Sequence, residues 1–318
     1  MPIAAGTTAF ALATKKATDF DNGMREVLTL LPKLGSEGFE SLKQETLAFS
    51  KEIGKVPEEV VPALYQSLSA GVPRENVFEF LKTAGVAELE TSVDGLTSVT
   101  NAYGTEVLNA NRASDIMFQT VKLGKTDFTQ LSKSLFNVIP TASALGVQFE
   151  DIGAAIAVMT AQGTPTSVAT TQIRQALVEL NKEGTVAANT FQVLTGQTFK
   201  DFIAQGGTLQ EALQMMSEAA DKNNKDISIM FSSVEAGNAG LALSGDNASK
   251  FKDYLDQMNN SLGATAEAFK KIDDGPARQF EKMKAELSAL VVELGNSLLP
   301  VVNEDLLPVI RDKAVPIA

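Results

Sequence analysis

Residues 10–35, FALATKKATDFDNGMREVLTLLPKLG, decide the fold class. Phe10, Ala13, Ala17, Phe20, Met24, Val27, Leu31 and Leu34 recur at steps of three and four, which aligns them on one face of an α-helix. Alternating steps of this kind average about 3.5, so a short coiled-coil seam fits as well as one side of a bundle. Pro32 predicts a kink or stop before Gly35, because a proline inside a helix removes a hydrogen bond and collides with the preceding turn.

The same period continues along the chain. Phe39, Leu42, Thr46, Phe49 and Ile53 lead to a stop at Gly54, and Pro57 suits the first turn of a helix carrying Val60, Leu64 and Leu68. Pro62 fits that helix only within its first turn. Gly71 ends it, and Pro73 restarts a stripe of Val77, Phe80, Leu81 and Ala84. Val86, Leu89, Val93, Leu96 and Tyr103 follow Gly85 and reach a terminus at Gly104, after which a helix is expected from Val107 through Ile116 to Gly124. Thr126 or Asp127 caps a helix from Phe128 to Leu145 that Pro140 should bend and Gly146 close. Phe149, Ile152, Ile156 and Met159 begin again, and residues 163–165, GTP, supply a C-cap, an N-cap and a first-turn proline before Ala169, Ile173, Ala176 and Leu180.

Residues 184–207 are less periodic and predict short helices with room for a small hairpin, ending at Gly207. Thr208 and Glu211 then stand at the spacing of a capping box. Ile227, Met230, Phe231 and Val234 fit one more helix, and Phe251, Tyr254, Leu255, Met258 and Leu262 another. Residues 273–276, DDGP, favour a hinge. Beyond it Phe280, Met283, Leu287, Leu290, Leu294 and Leu298 mark a last long helix, followed by Pro300, Pro308 and Pro316. The fold class expected is all-α: an antiparallel array of short helices with longer amphipathic helices near both ends. Its expected segments are 1–54, amphipathic helices; 55–270, a helical core; and 271–318, a hinge, a C-terminal helix and a proline-containing tail.

Composition narrows the chemistry. The 318 residues carry a formal charge of -12, which repels phosphate backbones and argues against direct nucleic-acid binding. The chain has no Cys and no His, which removes disulfides, thiolate metal sites and the commonest general base together. Neither a nucleophile elbow nor a phosphate-binding loop occurs, so no catalytic residue, metal or cofactor is expected. Residues 2–13 are apolar, but Lys15 and Lys16 follow rather than precede them, unlike a secretory leader. Residues 152–173 lack charge, yet Gln162, Gly163 and Pro165 interrupt them, so no membrane span is predicted.

Several short segments, in order, resemble the conserved core of phage tail tape measure proteins over residues 10–300. They are 20–27, FDNGMREV; 63–71, ALYQSLSAG; 101–104, NAYG; 113–115, ASD, similar to a helix start; 145–147, LGV; 171–177, TQIRQAL; and 295–300, GNSLLP, similar to that core's exit. Residues 230–232, MFS, depart from the resemblance, since a Gly often follows the Phe in relatives. Gly71, Gly104, Asp115, Gly146, Arg174 and Pro300 are the positions it singles out, and Gly163 and Gly207 join them as structural turns read from local punctuation. The resemblance implies a scaffold of tail assembly and length determination in the virion tail, assembled in the host cytoplasm. Tail-tube, tail-chaperone and distal-tail proteins are its implied partners, with self-association and a share in genome delivery also open. The residues alone fit equally a noncatalytic helical adaptor that grips a protein partner in an apolar groove.

Overall fold

The structure, a computed structural model, describes residues 2–84, 89–273 and 275–301. Gly85, Val86, Asp274, Pro308 and Pro316 lie outside them. Among the described residues there are α-helices and short 3-10 turns and no strand. The helices are α1 (Pro2–Thr29), α2 (Ser36–Ile53), α3 (Pro57–Ser69), α4 (Val77–Ala84), α5 (Leu89–Tyr103), α6 (Ala110–Leu123), α7 (Phe128–Leu135), α8 (Ile139–Leu145) and α9 (Phe149–Ala161). They continue as α10 (Thr166–Asn181), α11 (Val186–Thr195), α12 (Phe199–Ala204), α13 (Leu209–Asp221), α14 (Val234–Leu243), α15 (Ala248–Asn259), α16 (Ala264–Asp273) and α17 (Pro276–Val301). The chain divides into two compact units, residues 1–82 with 270–318, and residues 83–269.

In the first unit, α1 buries Ala13, Ala17, Phe20, Met24 and Val27, the inward face its period predicts. It ends at Thr29, before Leu31 and Leu34, which therefore lie off the helix. α17 packs along α1 in the opposite direction, since Gly295 meets Ala13 and Ala17 while Ser288 meets Lys16. A Cβ on Gly295 would overlap the Ala13 carbonyl oxygen, so this approach requires glycine. Pro62 lies in the second turn of α3, not the first. Pro300 lies inside α17, so the helix continues through the position expected to terminate it.

The second unit is organised around α9. Every residue from 151 to 160 is buried, with α6, α10, α14 and α15 among its neighbours. A helix hydrophobic all round belongs inside a protein, and this one has small residues, Gly153, Ala154, Ala155 and Ala157, that let others approach. A Cβ on Gly153 would come within 2.8 Å of the Thr120 hydroxyl. α6 and α9 run parallel: Arg112 reaches Glu150 near their N-termini and Gly124 meets Ala157 near their C-termini. α7 and α8 intervene and return the chain, which is what makes the parallel pair possible.

Local punctuation departs from the periodic reading in five places. α6 starts at Ala110 behind an Asn109 cap whose side chain accepts from the Arg112 amide, leaving Val107 73% exposed in a turn. The helix expected to bend at Pro140 is two helices broken over residues 136–138, with Pro140 in the first turn of α8, where its missing N–H is harmless. Thr164 caps nothing, and Pro165 is the N-cap of α10. Residues 227–230 form a 3-10 turn separate from α14, which begins at an exposed Val234. Leu262 lies past the end of α15 and is 80% exposed. Residues 184–207, where a hairpin was open, hold α11 and α12.

Candidate functional site

The second unit is pinned by three carboxylates that sit inside helices and cap other helices far along the chain. The first four N–H groups of a helix lack intrahelical partners, and a carboxylate satisfies them while complementing the local positive dipole. Asp115, midway along α6, accepts from the Gly263 amide at 2.7 Å and the Thr265 amide at 2.8 Å, at the start of α16. Asp151 on α9 accepts from the Leu209 amide at 3.0 Å, at the start of α13. Glu179 on α10 accepts from the amides of Ser232 at 2.6 Å and Ser233 at 3.0 Å and from the Ser233 hydroxyl, at the start of α14.

These sites differ electrostatically. Burial pushes the Asp151 carboxyl up to about 7, outweighing the Gln210 and Leu209 amides, with Glu150 and Glu211 adding repulsion. Burial also raises Glu179, but the Ser233 hydroxyl and the Ser232 and Ser233 amides outweigh it and hold the carboxyl below the usual glutamate value. Beside Asp151, Arg112 bridges three segments: it donates to Glu150 at 2.9 Å, to the Met258 carbonyl at 2.8 Å and to Ser261 at 3.0 Å.

The sequence-singled residues do not gather into one site. Gly71, Gly104, Gly146 and Gly163 follow the ends of α3, α5, α8 and α9 with φ of +92°, +82°, +78° and +99°, a region open to glycine at little cost. Gly207 lies against the Phe202 ring and precedes Thr208, whose side chain accepts from Glu211 N in a capping box. Arg174 is exposed on α10. Asp115 lies within α6 rather than at its start, as the chain there reserves Asn109 for the cap. Two resembling segments do meet: the Tyr103 hydroxyl donates to the Val147 carbonyl at 2.9 Å, and the Ser143 hydroxyl to the Ala102 carbonyl at 2.6 Å. In the first unit, Asp21 of the opening segment receives Arg25 at 2.6 Å and Lys43 at 3.0 Å, tying α1 to α2.

Asp151 and Glu179 were missed as pinning residues, although both leave a signal. Each is an acid at an inward position beside apolar residues, Glu179 alone and Asp151 next to Glu150, where an unpaired charge is costly and a partner is implied. Arg112 leaves no such signal.

The second unit also carries an open groove between α10 and α14. One part, about 450 Å³, is lined by Asn137, Ser167, Val168, Thr171, Gln172, Val234, Glu235 and Asn238. A smaller part of about 310 Å³ shares Gln172 and Asn238 and adds Gln162, Thr164, Leu241 and Ala242. Amides and hydroxyls of this kind can hydrogen-bond a polypeptide. Among the described residues no group of three or more acidic side chains is placed to hold a metal ion, and no helix is long and apolar enough to cross a membrane.

Comparison with known proteins places this architecture. The chain is 33% identical over 302 residues, 90% of its length, to a probable tape measure protein of Clostridium phage phiCD119, and 21% identical over 82% of its length to the tape measure protein of Pneumococcus phage Dp-1. It spans 32% of the first relative and 23% of the second. No solved structure matches it. The profile of phage-related minor tail proteins matches residues 43–232, more than half of the chain and all the helices from α3 to α13, and the chain belongs to that family.

Proposed function

We propose that the chain is a folded scaffold segment of a phage tail tape measure protein, acting in tail assembly without catalysis. The observation that carries this reading is the 33% identity over 90% of the chain to a relative bearing that name. Residues 55–270 serve as the core segment, flanked by 1–54 and by 271–318. Its partners are tail-tube, tail-chaperone and distal-tail proteins, met in the host cytoplasm before the segment is enclosed in the virion tail.

The physics of length limits its share of any ruler. A helix rises about 1.5 Å per residue, so an uninterrupted helix of this chain would reach roughly 480 Å. Among the described residues the longest helix has 28 residues, and α17 doubles back along α1. A segment folded this way suits contact and initiation, while measurement of length falls to the greater part of a protein as long as its relatives. Participation in genome delivery is compatible with the same placement.

The test is an in-frame deletion of residues 55–270 from the parent phage gene, with expression of the shortened product verified and particles viewed by electron microscopy. Loss of nearly all tails is expected. Tails of normal number, length and infectivity would overturn the proposal, and a tail shortened in proportion to the deletion would replace initiation with measurement.

A further inference from the structure

α10 and α14 wall the open groove of the second unit, and α14 is tied down at both ends. Glu179 on α10 holds its start through Ser232 and Ser233, and the Gln162 carboxamide donates to the Ala242 carbonyl at 2.9 Å near its end. Walls fixed in this way are set before a ligand arrives, which lowers the entropy lost on binding.

The polar side chains on these walls are not spent on the fold. Gln172 on α10 and Asn238 on α14 line both parts of the groove, and among the described residues neither carboxamide has a hydrogen-bond partner. Glu235, one turn before Asn238, is exposed and forms no ion pair among the described residues. Val168, Val234 and Leu241 add exposed apolar surface along the same walls.

A carboxamide offers a donor and an acceptor on one planar group, which matches the N–H and C=O of a peptide unit. A helix satisfies those groups internally, so an extended segment is the form of chain that has them to give. Phosphate backbones are disfavoured, because residues 83–269 carry 20 acidic against 11 basic side chains and the charge lining the groove is that of Glu235. The same balance favours a cationic side chain on the ligand.

We propose that the α10–α14 groove binds an extended polypeptide segment of a partner protein. Gln172 and Asn238 pair its main chain, Glu235 pairs a Lys or Arg, and Val168, Val234 and Leu241 cover small apolar side chains beside it. The inference rests on the chemistry of the groove and not on the tail reading, so failure of either leaves the other standing.

A random heptapeptide library selected on the immobilised full chain tests it, with fluorescence anisotropy of the enriched peptides giving affinities. Enriched peptides are expected to share a Lys or Arg at one position. Their affinity should fall about tenfold with Q172A/N238A and by a similar factor when the peptide's central amides are N-methylated, since each loses main-chain bonds. E235K, at an exposed position that leaves the fold intact, should turn the preference from basic to acidic peptides. Circular dichroism checks that each variant stays folded, and if Q172A/N238A unfolds, the charge reversal and the N-methylated peptides decide. Enrichment of no peptide, or of peptides without a basic residue, would overturn the proposal. So would enriched peptides that bind E235K as well as the wild type or that tolerate N-methylation.

Discussion

α9 and α17 begin from similar material and end in opposite places. Ile152, Ile156 and Met159 form a helical stripe in one, and Phe280, Met283, Leu287, Leu290 and Leu294 in the other, yet the first stripe is fully buried and the second is outside. The difference lies between the stripes. α9 sets Gly153, Ala154, Ala155 and Ala157 between its large residues, which lets neighbours close on it from several sides. α17 carries small residues along one side only, so that side enters the close pair with α1 and the bulky side stays free. Apolar periodicity therefore announces a face to be covered, and the residues off that face decide what can cover it.

The contrast breaks most visibly at matched substitutions. Ile156→Asp should cost several kcal/mol, because an unpartnered carboxylate would enter a packed interior. Leu290→Asp, on an exposed position, should stay within about 0.5 kcal/mol for the monomer. Urea unfolding followed by circular dichroism measures both. An unshifted midpoint for Ile156→Asp would place α9 at the surface.

The pinning carboxylates come next. Glu179→Ala removes three hydrogen bonds to the start of α14 and should cost about 2 kcal/mol, since bonds to a charged group are stronger than neutral ones, while water reaches the exposed Ser232 and half-buried Ser233 and offsets part of the loss. Native-state hydrogen exchange should show α14 opening first. Equal protection of α14 in variant and wild type would remove the pinning role. As the Glu179 pKa is lowered on folding, its contribution is present above the unfolded glutamate value and is lost as pH falls through the lower folded one.

Asp151 sharpens the same comparison with the opposite sign. Its pKa is raised to about 7, so the folded state holds a proton that the unfolded chain releases near 3.8. The favourable contribution is complete below the unfolded value and declines as pH rises through the folded one, by roughly 3 kcal/mol between pH 5 and pH 8. Asp151→Asn, which keeps an oxygen for the Leu209 amide, should flatten that decline relative to the wild type. Identical pH profiles for the two proteins would show that Asp151 titrates normally.

The helical class, the inward faces of α1 and α9 and the capping box at Thr208 were legible because each rests on a period or spacing within a few residues. The position of α17 against α1 was not, because nothing near residue 295 says that Ala13 and Ala17 lie opposite. The breaks at residues 136–138 and at Asn109 were lost for a related reason: an apolar stripe can be continued across two helices. The acids at positions 151 and 179 were visible as anomalies, but their partners lie 58 and 53 or more residues away. The resembling segments depend on such meetings, as the Tyr103 bond to Val147 joins two of them.

The scaffold reading is tested most directly by asking where the polypeptide resides in the finished particle. Quantitative peptide mass spectrometry of purified tails, stripped of unassembled protein, should recover peptides from both units in a constant ratio to the tail-tube protein. Recovery only from the unassembled fraction, with intact tails that lack these peptides, would contradict a place for this segment in the virion tail.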